Sequence, residues 1–294
     1  MLLRRVLTAL ALLSMLIPAL LAPQAWVWAA FSLIFVLLAC GEWMRLLEPS
    51  RSQTAMFFAL LATGLLIFLD SMSQERLRLS QIAMPVSMLA CLAWCLLVPL
   101  SFRGLARQSW LQAWLACLFL LAAWLALLEL HRIDLLFLFS CLALVWVADI
   151  AAYFTGRSLG RRKLAPAISP GKTQEGALGA CLGVALIGFV CIVVDAAWLE
   201  STLPRRWYLL LTKCVGDIAA AIWVLLVLQV LVLLSILGDL FESQLKRMAG
   251  VKDSSNLLPG HGGILDRIDA LLPVLPATIL IDRWIHWLSL RFSP

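Results

Sequence analysis

The sequence predicts an all-α polytopic membrane protein. Of its 294 residues 63% are hydrophobic and only 14% are charged, and the mean hydropathy is +0.97. Soluble domains carry roughly 25% charged residues, so this composition argues against an ordinary soluble enzyme. Apolar runs of about 18 residues or more recur along the chain, and each is long enough to cross roughly 30 Å of hydrocarbon as a helix.

These runs predict about nine transmembrane helices. Their approximate bounds are 3–22, 25–41, 55–71, 81–101, 109–130, 133–155, 176–198, 217–240 and 270–290. The first run follows two arginines, as in a signal peptide, but the next run comes almost at once, which favours a retained first helix. With a cytoplasmic N-terminus most of the 23 basic residues fall in inside loops, as the positive-inside rule requires.

The chain divides functionally near residue 132. Residues 1–132 form hydrophobic hairpins, whereas 133–294 carry two polar loops, at 156–175 and 241–269. Acidic residues of the first part, such as Glu42 and Glu129, lie near span ends and are interpreted as solvated charges at headgroup level. Both polar loops fall on the cytoplasmic side of the predicted topology. We therefore expect the active site at the cytoplasmic ends of the C-terminal helices.

Carboxylates flank the second polar loop. Continuing the helix of the eighth span places Asp239, Glu242 and Ser243 on one face. Asp266 and Asp269 share one side of a turn just before the last span. Without a ligand, Asp239 would be a hydrated charge at the membrane surface and the other two would be partners of a helix dipole. Facing one another across a hairpin, they could instead bind Mg²⁺, which prefers oxygen ligands and shares itself with substrate phosphates.

Glycines and basic residues lie between those carboxylates. The turn LLPGHGG includes Gly262 and Gly263, whose backbone N–H groups can point at a bound anion. His261 could donate to a phosphate oxygen or act as an acid or base, and a turn histidine bonded to backbone is the open alternative. Four basic residues make the segment a candidate polyphosphate cradle. They are Lys246, Arg247, Lys252 and Arg267.

Residues in and near the first polar loop could form another side of such a site. Asp149 and Tyr153 are one helical turn apart near the inner end of a span, where a buried aspartate is a functional candidate. The segment SPGKTQEG resembles a phosphate-binding entry to a helix N-terminus, although it lacks P-loop spacing. Its candidate residues are Ser169, Lys172, Thr173 and Glu175.

The stretch from Ser243 to Asp269 resembles the signature of the phosphatidate cytidylyltransferases, also called CDP-diacylglycerol synthases. It reads SQLKRMAGVKDSSNLLPGHGGILDRID, with S-x-x-K-R, K-D-S, P-G-H-G-G and D-R-x-D in register. The upstream GDLFES and the D…AAY…KLAP…SPGKT block are also similar to this family. The resemblance covers about residues 140–275, and residues 1–130 match only as a string of spans.

The resemblance implies an enzyme that condenses CTP with phosphatidic acid to CDP-diacylglycerol and pyrophosphate, feeding phospholipid biosynthesis. It implies the inner membrane of a bacterium, a site facing the cytoplasm, membrane lipids but no nucleic acid as partners, and a homodimer. It implies Mg²⁺ at Asp239 and Asp266, to which we add Asp269, and leaves open a second, monovalent ion such as K⁺. The expected catalytic residues are Asp239, Asp266, Lys172, His261 and Arg267. The expected phosphate-binding residues are Ser169, Lys172, Thr173, Glu175, Lys246, Arg247, Lys252, Asp253, Gly262, Gly263, Asp149 and Tyr153.

Two other classes of protein fit parts of the pattern. A CTP-dependent lipid or polyprenol kinase could use the same loops but would transfer the γ-phosphoryl group. A membrane transporter would need an ion site at the bilayer midplane and often shows inverted repeats, whereas here the charges gather at one surface and no repeat is apparent. The full signature favours cytidylyl transfer.

Overall fold

A computed structural model of the chain describes residues 13–47, 63–64, 76–102, 109–194, 199–258, 260 and 262–292. Residues 13–21 are helical. The further elements are α1 (Ala25–Leu46), α2 (Arg76–Phe102), α3 (Ser109–Ile133), α4 (Leu135–Leu159), β1 (Lys163–Ala165), β2 (Ser169–Thr173), α5 (Gln174–Val193), α6 (Leu203–Val215), α7 (Asp217–Met248), α8 (Leu265–Ile268) and α9 (Leu271–Phe292). The helical membrane class is thereby confirmed.

Within the described ranges, six helices are long and apolar enough to cross a membrane. Their apolar segments are Ala25–Leu46, Gln81–Phe102, Trp110–Ile133, Leu135–Leu159, Gln174–Val193 and Asp217–Met248. The predicted span 3–22 is described only from residue 13, and 55–71 lies outside the described residues apart from 63–64. The predicted span 270–290 forms α9, but Asp282 and Arg283 lower its hydropathy and it is not among the six. The predicted count of nine therefore stays a prediction.

An amphipathic helix, α6, occupies a segment for which the sequence analysis predicted no element. Leu203, Trp207 and Leu211 recur at four-residue spacing and form its buried face. The buried carboxylate of Asp282 accepts hydrogen bonds from Arg206 Nε and Trp207 Nε1, each at 3.1 Å. This polar contact attaches α6 to α9.

A short antiparallel hairpin, also unpredicted, joins α4 to α5. Lys163 pairs with Thr173 and Ala165 with Ser169. The strands have three and five residues, too few to show a clear alternation in the sequence. Thr173 Oγ1 then accepts a hydrogen bond from the amide of Gly176 at 3.1 Å, so the hairpin ends in the N-cap of α5.

Buried aromatic rings pack the N-terminal helices against α7. Trp43 of α1, Trp94 of α2 and Phe119 of α3 surround Phe241 of α7. The Trp94 and Phe119 rings stack with centroids 4.2 Å apart, and the Trp94 and Trp43 rings meet Phe241 edge-on at 5.4 and 5.8 Å. Phe241 lies within the acidic stretch of α7, so the first helices form the support directly behind the polar end of that helix.

Candidate active site

The polar end of α7 forms one side of the candidate site. The helix continues to Met248, past the predicted end of its span at residue 240. Ser243 Oγ lies 3.4 Å from Asp239 Oδ1, which places these two residues on one face as predicted. Gly238 has no side chain, and a Cβ there would collide with the backbone oxygen of Asp269. The glycine therefore lets the loop that carries Asp269 approach Asp239 closely.

Lys172 of β2 forms an ion pair with Asp239 and joins the two polar loops. Their side chains are 26% and 34% exposed, so both remain accessible to a ligand. A cavity of about 440 Å³ opens beside them between α4, α5 and α7. Its polar lining residues are Asp149, Tyr153, Arg157, Lys172, Thr173, Ser235 and Asp239. The structure thus brings four predicted residues, Asp149, Tyr153, Lys172 and Thr173, together with Asp239, whereas Ser169 and Glu175 do not line the cavity.

Lys246 bridges two carboxylates at the inner side of the site. Its Nζ lies 2.5 Å from Glu242 Oε2 and 2.6 Å from Asp266 Oδ1. All three side chains are largely buried, with exposed fractions of 13%, 3% and 8%. A charge held at such depth is stable only with its partner in place, so Lys246 links α7 to the turn that carries Asp266.

Asp266 is held by hydrogen bonds on both of its oxygens. Its Oδ2 accepts from the Gly263 amide at 2.8 Å, the Ser254 hydroxyl at 2.9 Å and the Ser254 amide at 3.0 Å. Burial alone would raise its pKa, but hydrogen bonding with Glu242, Lys246 and these two amides outweighs burial and holds the pKa at about 2. Asp266 is therefore an anion at neutral pH.

Asp269 is a buried carboxyl group beside another carboxylate. Burial, and then the charge of Asp239, raises its pKa to about 8. Over the described part of the chain, no three His, Cys, Asp or Glu side chains gather closely enough to hold a metal ion by themselves. Mg²⁺ often binds through one or two carboxylates and completes its shell with water and phosphate. A pair of mutually repelling carboxylates suits such a cation, because the ion would relieve their repulsion.

Other predicted residues of the first loop shape the hairpin. Glu175 accepts hydrogen bonds from the amides of Arg161 at 3.1 Å and Arg162 at 3.2 Å. Thr173 caps α5, and Ser169 lies in β2. These contacts fix the base of the hairpin and the start of α5, on either side of Lys172. A direct role of the three side chains in phosphate binding stays a prediction.

The predicted basic residues do not all meet in one place. Arg247 donates to the backbone oxygens of Ile168 and Val251, each at 3.2 Å, and ties the hairpin to the end of α7. Lys252 and Asp253 are exposed in the loop after α7 and do not line the cavity. The exposed Arg267 of α8 lies within electrostatic reach of Asp149.

The glycine turn is closely fitted to Asp266. Gly262 has φ +80°, and a Cβ there would lie 2.7 Å from Asp266 Oδ2. At Gly263 a Cβ would collide with Ser254 Oγ. The Gly263 amide donates to Asp266, so this N–H holds a carboxylate in the structure described. The turn's contact with a phosphate stays a prediction, and His261 lies outside the described residues.

The interpretation of Glu42 and Glu129 as solvated charges is wrong. They are 3% and 5% exposed. Glu129 forms an ion pair with Arg283 of α9, and Glu42 accepts four hydrogen bonds from residues 254–265. Their partners lie more than a hundred residues away in the chain, so no local pattern could reveal the pairing. Glu42 is therefore a residue of the site that no sequence pattern indicated.

Comparison with known proteins gives concordant matches. The profile of the cytidylyltransferase family matches residues 3–283. A phosphatidate cytidylyltransferase of Pseudomonas aeruginosa is 36% identical over 294 residues, which cover 97% of this chain and 99% of that protein. One from Haemophilus influenzae is 45% identical over 133 residues, 45% of this chain and 41% of that protein. One from Thermotoga maritima is 39% identical over 139 residues, 47% of this chain and 46% of that protein.

Proposed function

The chain belongs to the cytidylyltransferase family, and from this membership we propose that it is a phosphatidate cytidylyltransferase. It converts CTP and phosphatidic acid to CDP-diacylglycerol and pyrophosphate, a step of phospholipid biosynthesis. The observation that carries the proposal is the meeting of Lys172, Asp239 and Lys246 with Asp266 and Asp269 at the polar end of α7. This arrangement places cations and carboxylates together beside an open cavity at a helix end.

The reaction requires two anionic reactants to approach each other. An oxygen of the phosphatidate phosphate attacks the α-phosphorus of CTP, and the bond to the β-phosphate oxygen breaks as pyrophosphate leaves. The lipid phosphate is already ionised at neutral pH, so no strong base is needed. Catalysis then depends mainly on positioning and on neutralising charge. Our candidates for holding phosphate oxygens are Lys172, which is paired with Asp239, and Arg267, which lies within electrostatic reach of Asp149.

We assign Mg²⁺ to the pair Asp239 and Asp269, with Asp266 as a further predicted ligand, although the described residues do not bring all three carboxylates into one group. When bound, the ion would supply charge neutralisation at the phosphate oxygens. Asp266 is ionised and fixed by its donors, and Asp239 is accessible through the cavity. In the structure the Lys172 ammonium group is paired with the Asp239 carboxylate. We expect Lys172 to turn towards phosphate when the substrates bind. A second, monovalent ion stays a prediction.

We further propose that the site faces the cytoplasm from the inner membrane of a bacterium. Support comes from the basic residues concentrated around the two polar loops, as the positive-inside rule requires. This side is also where CTP is available. The cavity beside Asp239 lies between spanning helices, so it would admit a lipid phosphate from the bilayer. A homodimer is expected from the family resemblance alone.

The names of the relatives favour cytidylyl transfer over the two alternatives. A kinase would move the γ-phosphoryl group of CTP to lipid, whereas a cytidylyltransferase moves the α-phosphorus with its nucleoside. A transporter would produce neither labelled lipid. The three functions therefore differ in a single measurable product.

The test supplies purified protein with phosphatidic acid, Mg²⁺ and CTP labelled at either the α- or the γ-phosphate. We expect α-label in a chloroform-soluble product and γ-label only in water-soluble pyrophosphate. Lipid labelled from the γ-phosphate alone would identify a kinase. Omitting phosphatidic acid is the control, because it removes the acceptor but leaves CTP hydrolysis visible.

A further inference from the structure

Glu42 lies at the end of α1, far in sequence from every signature residue, yet its carboxylate is 3% exposed. It accepts from the Ser255 hydroxyl at 2.6 Å and the Ser254 hydroxyl at 3.0 Å. It also accepts from the amides of Leu265 at 2.7 Å and Ile264 at 3.0 Å. Three of these donors belong to the loop between α7 and α8, and the fourth, Leu265, is the first residue of α8, so one side chain of α1 holds the middle of that loop to its C-terminal end.

Ser254 connects Glu42 to Asp266. Its hydroxyl lies 3.0 Å from Glu42 Oε2 and 2.9 Å from Asp266 Oδ2, and its amide donates to Asp266. Because a hydroxyl has one proton, the two carboxylates share a single donor at this point. Gly263 fills the remaining space, since a Cβ there would lie 2.5 Å from Glu42 Oε2. A displacement of Glu42 would therefore be transmitted to Asp266.

We propose that Glu42 is a positioning residue for the reaction, acting through Ser254 and the backbone at residues 263–265 to set the orientation of Asp266. The proposal rests on the proposed cytidylyltransferase activity. Glu42 is not expected to touch a substrate, and it lines none of the cavity beside Asp239. Its effect should appear in turnover and in metal binding, because a misplacement of about 1 Å at a catalytic group can cost about 10²-fold in rate.

Glu42→Gln is the sharpest change, because a carboxamide keeps the volume but presents an N–H₂ group to donors that need an acceptor. Glu129→Gln is the matched control. Glu129 is likewise a buried carboxylate on a neighbouring helix, but its partner is Arg283 of α9. Ser255→Ala is a milder variant, since it removes one donor to Glu42 and an acceptor for the exposed Leu257 amide, and the Ser255 hydroxyl bonds to neither Ser254 nor Asp266.

Each purified variant is assayed for kcat and for KM of CTP well below its unfolding temperature, and its unfolding midpoint is measured with and without Mg²⁺. For Glu42→Gln we expect kcat to fall about 10²-fold, KM to stay within about threefold and the Mg²⁺-induced rise of the midpoint to shrink. For Ser255→Ala we expect a smaller fall in kcat, about threefold to tenfold. For Glu129→Gln we expect a lower midpoint but a kcat within about twofold of the parent.

The idea is overturned if Glu42→Gln and Glu129→Gln lose kcat equally, because activity would then follow stability alone. It is also overturned if Glu42→Gln does not fold and Ser255→Ala keeps full kcat and a full response to Mg²⁺. If the parent protein transfers no cytidylyl group, the proposed function fails. The Mg²⁺ response of the midpoint still decides the role of Glu42 in that case, through the same comparison of variants.

Discussion

Lys246 shows how single residues set the electrostatics of this site. Its ammonium group contacts Glu242 and Asp266 at once, at 2.5 and 2.6 Å, among side chains that are largely buried. Asp239 is likewise paired with a lysine, Lys172, whereas the raised pKa of Asp269, about 8, means that this group holds a proton at neutral pH. The carboxyl groups of the site therefore differ in charge and in partners, and we expect them to differ in what they contribute.

Asp239→Asn and Asp266→Asn should both abolish turnover but should differ in stability. Asp239 is 34% exposed and pairs with one lysine, so its loss should change the free energy of unfolding by less than about 1 kcal/mol. Asp266 is 8% exposed. In Asp266→Asn the side-chain N–H₂ group would face donors that need an acceptor, which costs about 1–3 kcal/mol of unfolding free energy. Cytidylyl transfer and unfolding midpoints in detergent measure the two effects.

Asp134→Asn is the control for these variants. Asp134 caps α4 by accepting from the amides of Leu136 and Phe137, and asparagine caps equally well. We expect its activity and midpoint to match the parent. Near-normal turnover in Asp239→Asn or Asp266→Asn would contradict the metal assignment for that residue.

The raised pKa of Asp269 predicts a pH dependence of stability without metal. Its folded pKa of about 8 exceeds the ordinary 3.8, so between these values the folded state holds a proton that the unfolded state has lost. Stability should therefore fall as pH rises from about 4 to 8. Asp266, with a folded pKa of about 2, is ionised in both states over that window and adds no slope there.

Unfolding midpoints in EDTA at pH 6 and pH 8 test this expectation, with Asp269→Asn as the comparison. The parent should lose stability at the higher pH, and the variant should show a flatter profile. Added Mg²⁺ should raise the parent's midpoint more at pH 8, because the ion must displace the proton to bind. An equal slope in parent and variant would show that other groups dominate.

At the scale of elements, the contact between α4 and α5 depends on glycine. A Cβ at Gly183 would lie 2.7 Å from Ala151 Cβ, and one at Gly176 would lie 3.0 Å from the Ala152 oxygen. Small residues of this kind let two membrane helices approach at the level of their backbones. The close approach matters for function because α4 and α5 form two sides of the cavity and carry the hairpin between them.

Gly183→Ala should destabilise the protein by about 1–3 kcal/mol through overpacking, and adding Ala151→Gly should recover most of that loss. Gly41→Ala is the matched control, because no atom would lie within 4 Å of its Cβ, and it should be neutral or stabilising by about 0.5–1 kcal/mol. Unfolding midpoints of the parent, Gly183→Ala, Ala151→Gly and the double variant complete a double-mutant cycle. Equal losses for Gly183→Ala and Gly41→Ala would argue against a close α4–α5 contact.

The elements also show which features sequence can predict. The apolar runs predicted α1, α4, α5 and α7 because hydrocarbon thickness imposes a length and a composition. The amphipathic α6 and the hairpin were not predicted, because each is short. Their residue patterns also depend on contacts with other elements, such as the contact of α6 with Asp282. Among site residues, the sequence spacing predicted that acidic residues gather near the end of α7. The burial of Glu42 could not be predicted in this way, because it depends on contacts with residues 212–223 positions away.

At the scale of the whole molecule, α7 is long enough for its two ends to lie on opposite faces of a membrane. Its 32 residues extend about 48 Å, well beyond roughly 30 Å of hydrocarbon. Lys213 lies just before its start, and Val251 lies just after its end. Both residues are exposed, so a thiol at either position would be accessible to a reagent that cannot cross the bilayer.

The proposed orientation predicts which thiol reacts. Val251→Cys should be labelled by an impermeant maleimide in inside-out vesicles, and Lys213→Cys only from the outside of intact spheroplasts. The parent chain, which retains its eight cysteines, supplies the background labelling. The reverse pattern would place the polar loops on the outer face, away from cytoplasmic CTP.

The buried contact of Glu42 also has a consequence for biosynthesis. The ribosome completes α1 early, but the donors to Glu42 follow more than two hundred residues later. Until then the carboxylate has to stay near the lipid headgroups, where water can solvate it. Final docking of α1 must therefore await the last part of translation. A nascent chain that terminates before residue 254 would lack all four donors, and its Glu42 carboxylate would stay hydrated at the membrane surface.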